Sequence, residues 1–147
     1  MRSINELIEI IHARGGKVTP QRLAIYQALE ADTTHPAAEA IYERIRETMP
    51  MISLTTVYKA LNELVAIGEL RRFDIHGVSH FDTRTDPHAE VVCLSCDVIM
   101  DVVYPGTPHP QLETAWPALP GFQIVGQTQT FYGYCERCQA SQQESVS

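Results

Sequence analysis

All four cysteines of the 147-residue chain stand in two Cys-x-x-Cys pairs, Cys93-Leu94-Ser95-Cys96 and Cys135-Glu136-Arg137-Cys138. Two thiolates three positions apart reach one metal from a tight turn. Two such turns complete a tetrahedral shell of four soft sulfur donors, the coordination of structural Zn(II). A closed shell leaves no position for a substrate, so this pattern predicts a structural metal and the function must lie elsewhere. A thioredoxin-like redox pair would need one Cys-x-x-Cys beside a βαβ pattern, and disulfides would suit a secreted chain. The start, Met1-Arg2-Ser3-Ile4-Asn5-Glu6, has no apolar signal core behind it, and no stretch approaches membrane-spanning length. A reduced, cytoplasmic protein with no membrane partner is expected.

The elements that position these groups follow from periodicity. Ile4, Leu7, Ile8 and Ile11 recur at helical spacing and stop before Gly15-Gly16. Thr19-Pro20 reads as an N-cap followed by proline at the first helical position, with Leu23, Ile25, Tyr26 and Leu29 as the buried side of a second helix. His35-Pro36 interrupts the chain, and Ala40, Ile41 and Ile45 mark a third helix that ends near Met49-Pro50. Ser53 caps a fourth, with Val57, Ala60, Leu61, Leu64 and Val65 as its core stripe and Gly68 as its stop. Beyond it, Glu69 to Phe73, the turn chemistry of Asp74-Ile75-His76-Gly77, and Val78 to Phe81 predict a β-hairpin carrying Arg71 and Arg72. The second half holds β-rich runs at Ala89 to Cys93, Val98 to Val103 and Phe122 to Tyr134, a short helix over His109 to Ala118, and a polar, mobile tail from Gln139 to Ser147. Zinc would then tie the turn after the first of these strands to the last.

The net charge of −7 conceals an asymmetry: residues 1–80 carry nine Lys/Arg against ten Asp/Glu, and residues 81–147 carry two against eight. The near-neutral half can present a basic face to phosphate. On its fourth helix Thr55, Tyr58, Lys59 and Asn62 share the polar side, groups able to meet phosphates, thymine methyls and base edges in a major groove. Alone, such a face is more often merely solvated. Helices followed at once by a basic hairpin are similar to a winged helix-turn-helix, in which Arg71 and Arg72 would lie along the DNA backbone.

Thr19-Pro20-Gln21-Arg22, His35-Pro36, Thr55-Thr56-Val57-Tyr58 and the two Cys-x-x-Cys pairs, in this order and approximate spacing, resemble the ferric uptake regulator (Fur) family of bacterial metal-dependent repressors over nearly the whole chain. The resemblance implies an α+β fold: an N-terminal winged helix-turn-helix domain with wing and hinge (residues 1–83) and a C-terminal α/β dimerisation and metal-binding domain (84–147). It also implies a homodimer on a palindromic, AT-rich double-stranded operator, adds Arg22 and Thr56 to the DNA-facing set, and calls for one structural Zn(II) per subunit on Cys93, Cys96, Cys135 and Cys138.

A sensor also needs an exchangeable metal on oxygen and nitrogen donors. His35, Asp82, His88, Glu90 and Asp101 match by position the family's regulatory site, one per subunit, and two imidazoles with three carboxylates suit Fe(II) or Mn(II). Asp101, where many iron-sensing members carry Glu, resembles the peroxide-responsive branch, PerR; there a ligand histidine, here His35 or His88, gains an oxygen and releases the metal. Glu90 departs from that pattern, since the position is commonly His, and leaves reversible iron or manganese sensing as the alternative. Taken singly, each of these residues reads as an ordinary cap, turn or strand position. His12, His76, His80 and His109 read as surface or local hydrogen-bonding residues.

Two readings from other classes compete. His88-Ala89-Glu90 fits the His-x-Glu of zinc-dependent nucleobase deaminases. That reading wants proline before the distant Cys-x-x-Cys, where Tyr134 stands, and leaves Cys93 and Cys96 unemployed. A zinc-stapled protein-interaction module would instead show no metal-dependent affinity for DNA.

Overall fold

The computed structural model describes residues 1–86, 88–102, 120–123 and 129–144, and its contacts divide the chain into two units, Met1–Thr85 and Asp86–Ser147. The first unit opens with helices α1 (Ile4–Ala13), α2 (Pro20–Leu29), α3 (Ala38–Arg46) and α4 (Leu54–Ala66) and closes with strands β1 (Arg71–Ile75) and β2 (Val78–Asp82).

Capping defines these helices. Ser3 and Glu6 form a reciprocal capping box at α1, the Thr19 hydroxyl accepts from the Arg22 amide ahead of Pro20, and Ser53 Oγ accepts from the Thr56 amide at 3.1 Å. Leu7, Ile11, Ile25, Tyr26, Leu29, Ile41, Ile45, Val57, Leu61 and Leu64 make one continuous core. Each large apolar side chain buried there stabilises the fold by roughly 1.5–3 kcal/mol. Three expected core positions differ. In α3 the buried alanine is Ala38, while Ala40 is exposed; Ala38 falls on the stripe of Ile41 and Ile45 at helical spacing, and Ala40 lies off it. Leu23 and Val65 are only half-buried, at the edges of their stripes.

β1 and β2 form the expected antiparallel hairpin, from Arg71 opposite Asp82 to Ile75 opposite Val78. Its two-residue loop has φ of 51° at His76 and 81° at Gly77, both positive as a type I′ turn requires.

The second unit contains a sheet in the order β4-β3-β5, with β3 (Ala89–Cys93) antiparallel to β4 (Ile99–Val102) and parallel to β5 (Gln129–Gly133). Phe122 and Gln123 are not in a strand, so the expected run from Phe122 is shorter among the described residues. Residues 103–119, with the expected helix at His109 to Ala118, lie outside them. The expected tail is corrected over residues 139–144, since α5 spans Glu136–Glu144; residues 145–147 lie outside the described ones. Cys135 and Cys138, one helical turn apart, start that helix, with the Gln139 amide bonded to the Cys135 carbonyl at 3.0 Å. Its Ala, Gln and Glu are good helix formers, and Glu136, Arg137, Gln139 and Ala140 in its first half are exposed.

Candidate functional site

Four sulfurs converge in the second unit. Cys93 ends β3 and Cys96 follows in a turn closed by the Asp97 amide on the Cys93 carbonyl (2.9 Å), with Asp97 at φ 56°. Parallel pairing sets Cys93 opposite Gly133, which delivers Cys135 and Cys138 to the same place. One Sγ from each cysteine lies within 4.8 Å of the others, and Cys96 Sγ to Cys135 Sγ is 3.8 Å. Sulfurs about 2.3 Å from a tetrahedral zinc stand about 3.8 Å apart, so the cluster fits that ion.

The charges point the same way. Amides of Cys135 and Ser95 directed at Sγ bring the Cys93 thiol down to about 6, and the Val98 amide lowers Cys96. The Ser95 hydroxyl favours ionisation of Cys138, but neighbouring Cys135 and Cys96 override it and push that thiol up to about 11. Four sulfurs so crowded cannot all ionise without a dication among them. Arg137, between the second pair, directs Nη2 at Cys96 Sγ (3.9 Å); its place inside Cys-x-x-Cys was the only sequence hint of this role.

In the first unit, His35 and Asp82 are 3% exposed, with His35 Nε2 3.8 Å from Asp82 Oδ1. Asp82 ends β2, where Oδ1 accepts from the Arg84 amide (2.8 Å) and Oδ2 lies 4.0 Å from Arg71. His35 has φ 53°, a left-handed conformation costing roughly 1–3 kcal/mol in a non-glycine residue. Its loop is anchored by Thr83 Oγ1 on the Asp32 carbonyl (3.0 Å), the Phe81 amide on the Pro36 carbonyl (3.0 Å) and His80 Nδ1 against the His35 carbonyl (2.8 Å).

In the second unit, His88 Nδ1 donates to the Asp86 carbonyl at 2.8 Å, which leaves Nε2 as the ligand nitrogen. That atom lies 3.4 Å from Glu90 Oε1 and 3.4 Å from Asp101 Oδ1. Glu90 is fully buried and directly opposite Asp101 across β3 and β4. Like charges so paired are destabilising unless a cation joins them. Cis donors about 2.1 Å from a hard octahedral ion stand about 3 Å apart, so the His88, Glu90 and Asp101 donors of this unit suit such an ion. The deaminase alternative needs His88 beside a cysteine pair; instead its ring faces two carboxylates while the cysteines gather on one another.

Thr55, Lys59 and Asn62 are exposed on α4, and Tyr58 is half-buried. Tyr58 OH donates to Glu39 Oε1 at 2.8 Å, a bond that raises its pKa. Thr56 is engaged at the cap, its hydroxyl 2.9 Å from Ser53 Oγ. Arg22 braces α2 against α4, with Nη1 on the Lys17 carbonyl (2.8 Å) and Nη2 on Glu63 (3.0 Å). On the hairpin Arg72 is 3.7 Å from Asp74. Glu39 was not among the residues singled out by pattern; it is an ordinary charged position on α3 until the fold brings Tyr58 to it.

Several known proteins are similar to this chain. Peroxide-responsive repressor PerR of Staphylococcus aureus is 31% identical over 137 residues, spanning 92% of this chain and 91% of that protein. The Vibrio cholerae ferric uptake regulator superposes with a TM-score of 0.68 at 29% identity, over 88% of this chain and 99% of its own. The Helicobacter pylori ferric uptake regulator, described with three functional metal binding sites, gives 0.75 at 22% identity over 92% and 91%, a likeness of fold. The sequence profile of the ferric uptake regulator family matches residues 13–127. The chain belongs to the ferric uptake regulator family, and is a metal-responsive transcription regulator rather than an enzyme.

Proposed function

We propose that this regulator is a cytoplasmic, homodimeric repressor that responds to peroxide through Fe(II) or Mn(II) held by His35, Asp82, His88, Glu90 and Asp101. The single observation that carries the reading is the His88 ring: Nδ1 is fixed on the Asp86 carbonyl and Nε2 is presented to two carboxylates. Residues 1–83 would bind DNA, with Thr55, Tyr58, Lys59 and Asn62 toward the groove, Arg71 and Arg72 toward the backbone, and Arg22 and Thr56 at the margin. Residues 84–147 would dimerise around Zn(II) on the four cysteines, and the exposed Met100, Phe131 and Tyr132 of their sheet support self-association. A palindromic, AT-rich operator suits such a dimer.

Regulation follows from linkage. Metal that binds one conformation more tightly shifts the population toward it, and ligands drawn from both ends of the segment joining 1–83 to 84–147 make the DNA-binding form that conformation. Bound Fe(II) would activate peroxide, so that one oxygen is inserted into a ligand imidazole at the expense of two electrons of that ring and the other oxygen leaves as water. His35 and His88 are the acceptors; loss of a donor nitrogen then weakens metal binding.

Glu90 favours a second reading, reversible iron or manganese sensing. Three carboxylates around a dication leave the ligand set at net −1, which alters iron redox behaviour relative to a set with one carboxylate fewer. Intact mass and peptide mapping of Fe(II)-loaded, zinc-replete protein before and after brief peroxide exposure decides between them, with Mn(II)-loaded protein as control. Oxygen added to His35 or His88 only with iron is the expected result. Unmodified histidines with iron demonstrably bound would establish the reversible sensor.

A further inference from the structure

We propose that His80 is a positioning residue for the regulatory metal, holding the His35 backbone so that its ring stands beside Asp82. The inference rests on the reading of His35 and Asp82 as ligands. The His35 backbone lies at φ 53°, and the following Pro36 steers its predecessor toward extended conformations. Left to local preference, this residue would turn elsewhere.

Strand β2 supplies the restraint. Ala37 bridges His80, and the Phe81 amide bonds the Pro36 carbonyl, so the segment lies along the strand like an extra edge. Those bonds act on the neighbours of His35, whereas the His80 ring acts on His35 itself. A carbonyl only accepts, so Nδ1–H of His80 donates to it at 2.8 Å. The ring is in turn fixed against Phe73, its cross-strand partner, with centroids 6.0 Å apart and planes at 22°. Phe73 meets the His35 ring edge-on, with centroids 5.9 Å apart. His80 thus governs the ligand twice, through its carbonyl and through the aromatic ring between them. Alternation along a strand puts His80 and Asp82 on one face, so a single strand sets both ligands.

The test uses full-length, zinc-replete protein, with Mn(II) affinity measured by competition and the visible absorption of Co(II) as a probe of coordination. Removing a hydrogen-bonding group that orients a metal ligand typically costs about 10–100-fold in affinity. His80→Phe keeps an aromatic ring and loses the donor, and is expected to weaken Mn(II) binding at least about tenfold and to alter the Co(II) spectrum. His80→Asn, whose amide stands where Nδ1 stood, should recover to within about threefold. His80→Gln, with its amide at the Nε2 position, should not. Zinc content should be unchanged in all three, and the contrast between the two amides decides the matter even if the Phe variant fails to fold. His35→Ala is the reference. Should it lose Mn(II) while every His80 variant binds like wild type, or should Asn and Gln behave alike, the positioning role is overturned. Should His35→Ala bind Mn(II) as tightly as wild type, the ligand assignment falls and the proposal with it.

Discussion

Asp32 shows how a single residue outside any ligand set shapes the site. Burial alone would raise its pKa, but the Thr34 hydroxyl and amide and the Arg44 guanidinium, 2.7 Å away, outweigh it and hold the carboxyl below its ordinary range. A depressed folded-state pKa contributes stability that is complete above the unfolded value near about 4 and is lost as pH falls through the folded one. Asp32→Asn is therefore expected to cost about 1 kcal/mol at pH 7 and progressively less below pH 4, read from urea midpoints at both pH values. Equal losses at pH 3 and pH 7 would contradict this account. Contacts of this kind were beyond the sequence. Asp32 meets Arg44 twelve residues away, Tyr58 meets Glu39 across nineteen and His80 meets His35 across forty-five, and no local period encodes any of them. The four-cysteine cluster was legible because the count leaves no cysteine over and each pair has the reach of one turn.

At the scale of elements, helix starts and the hairpin were legible wherever a residue does a local job. Thr19 and Ser53 accept from amides three positions on, and His76-Gly77 satisfies a turn that only positive φ allows. Ser53→Ala should cost about 1 kcal/mol by leaving the start of α4 uncapped. Gly77→Ala meets nothing within 4 Å, so its expected cost, about 1–2 kcal/mol, is purely that of a left-handed backbone. Thermal midpoints of both variants check these figures, and Gly77→Asn should cost less than Gly77→Ala because Asn tolerates that conformation. What failed was the face assigned to Ala40 in α3, where an apolar alanine on either face looks alike, and α5, where polarity resembled a tail until the cysteines fixed its first turn.

Across the whole molecule the two units derive their order differently. Met1–Thr85 contains the large apolar cluster, while the described part of Asp86–Ser147 is a small sheet and one polar helix joined at four sulfurs. Below a certain core size a structural metal supplies much of the folding free energy. Stripping zinc with a chelator, or substituting Cys96→Ser, is expected to speed amide exchange in β3 and β5 severalfold while α4 keeps its protection and Met1–Thr85 retains a cooperative transition. Hydrogen exchange by mass spectrometry reads both at once; equal deprotection of α4 would refute the division. No helix among the described residues is long and apolar enough to cross a membrane. One feature of β2 works mechanically: its tip, Val78, adjoins the wing turn and its foot is Asp82. Four steps of about 3.4 Å make a lever of about 14 Å, so a tilt of about 5° at the foot carries the tip about 1 Å, enough to make or break a hydrogen bond to a phosphate oxygen.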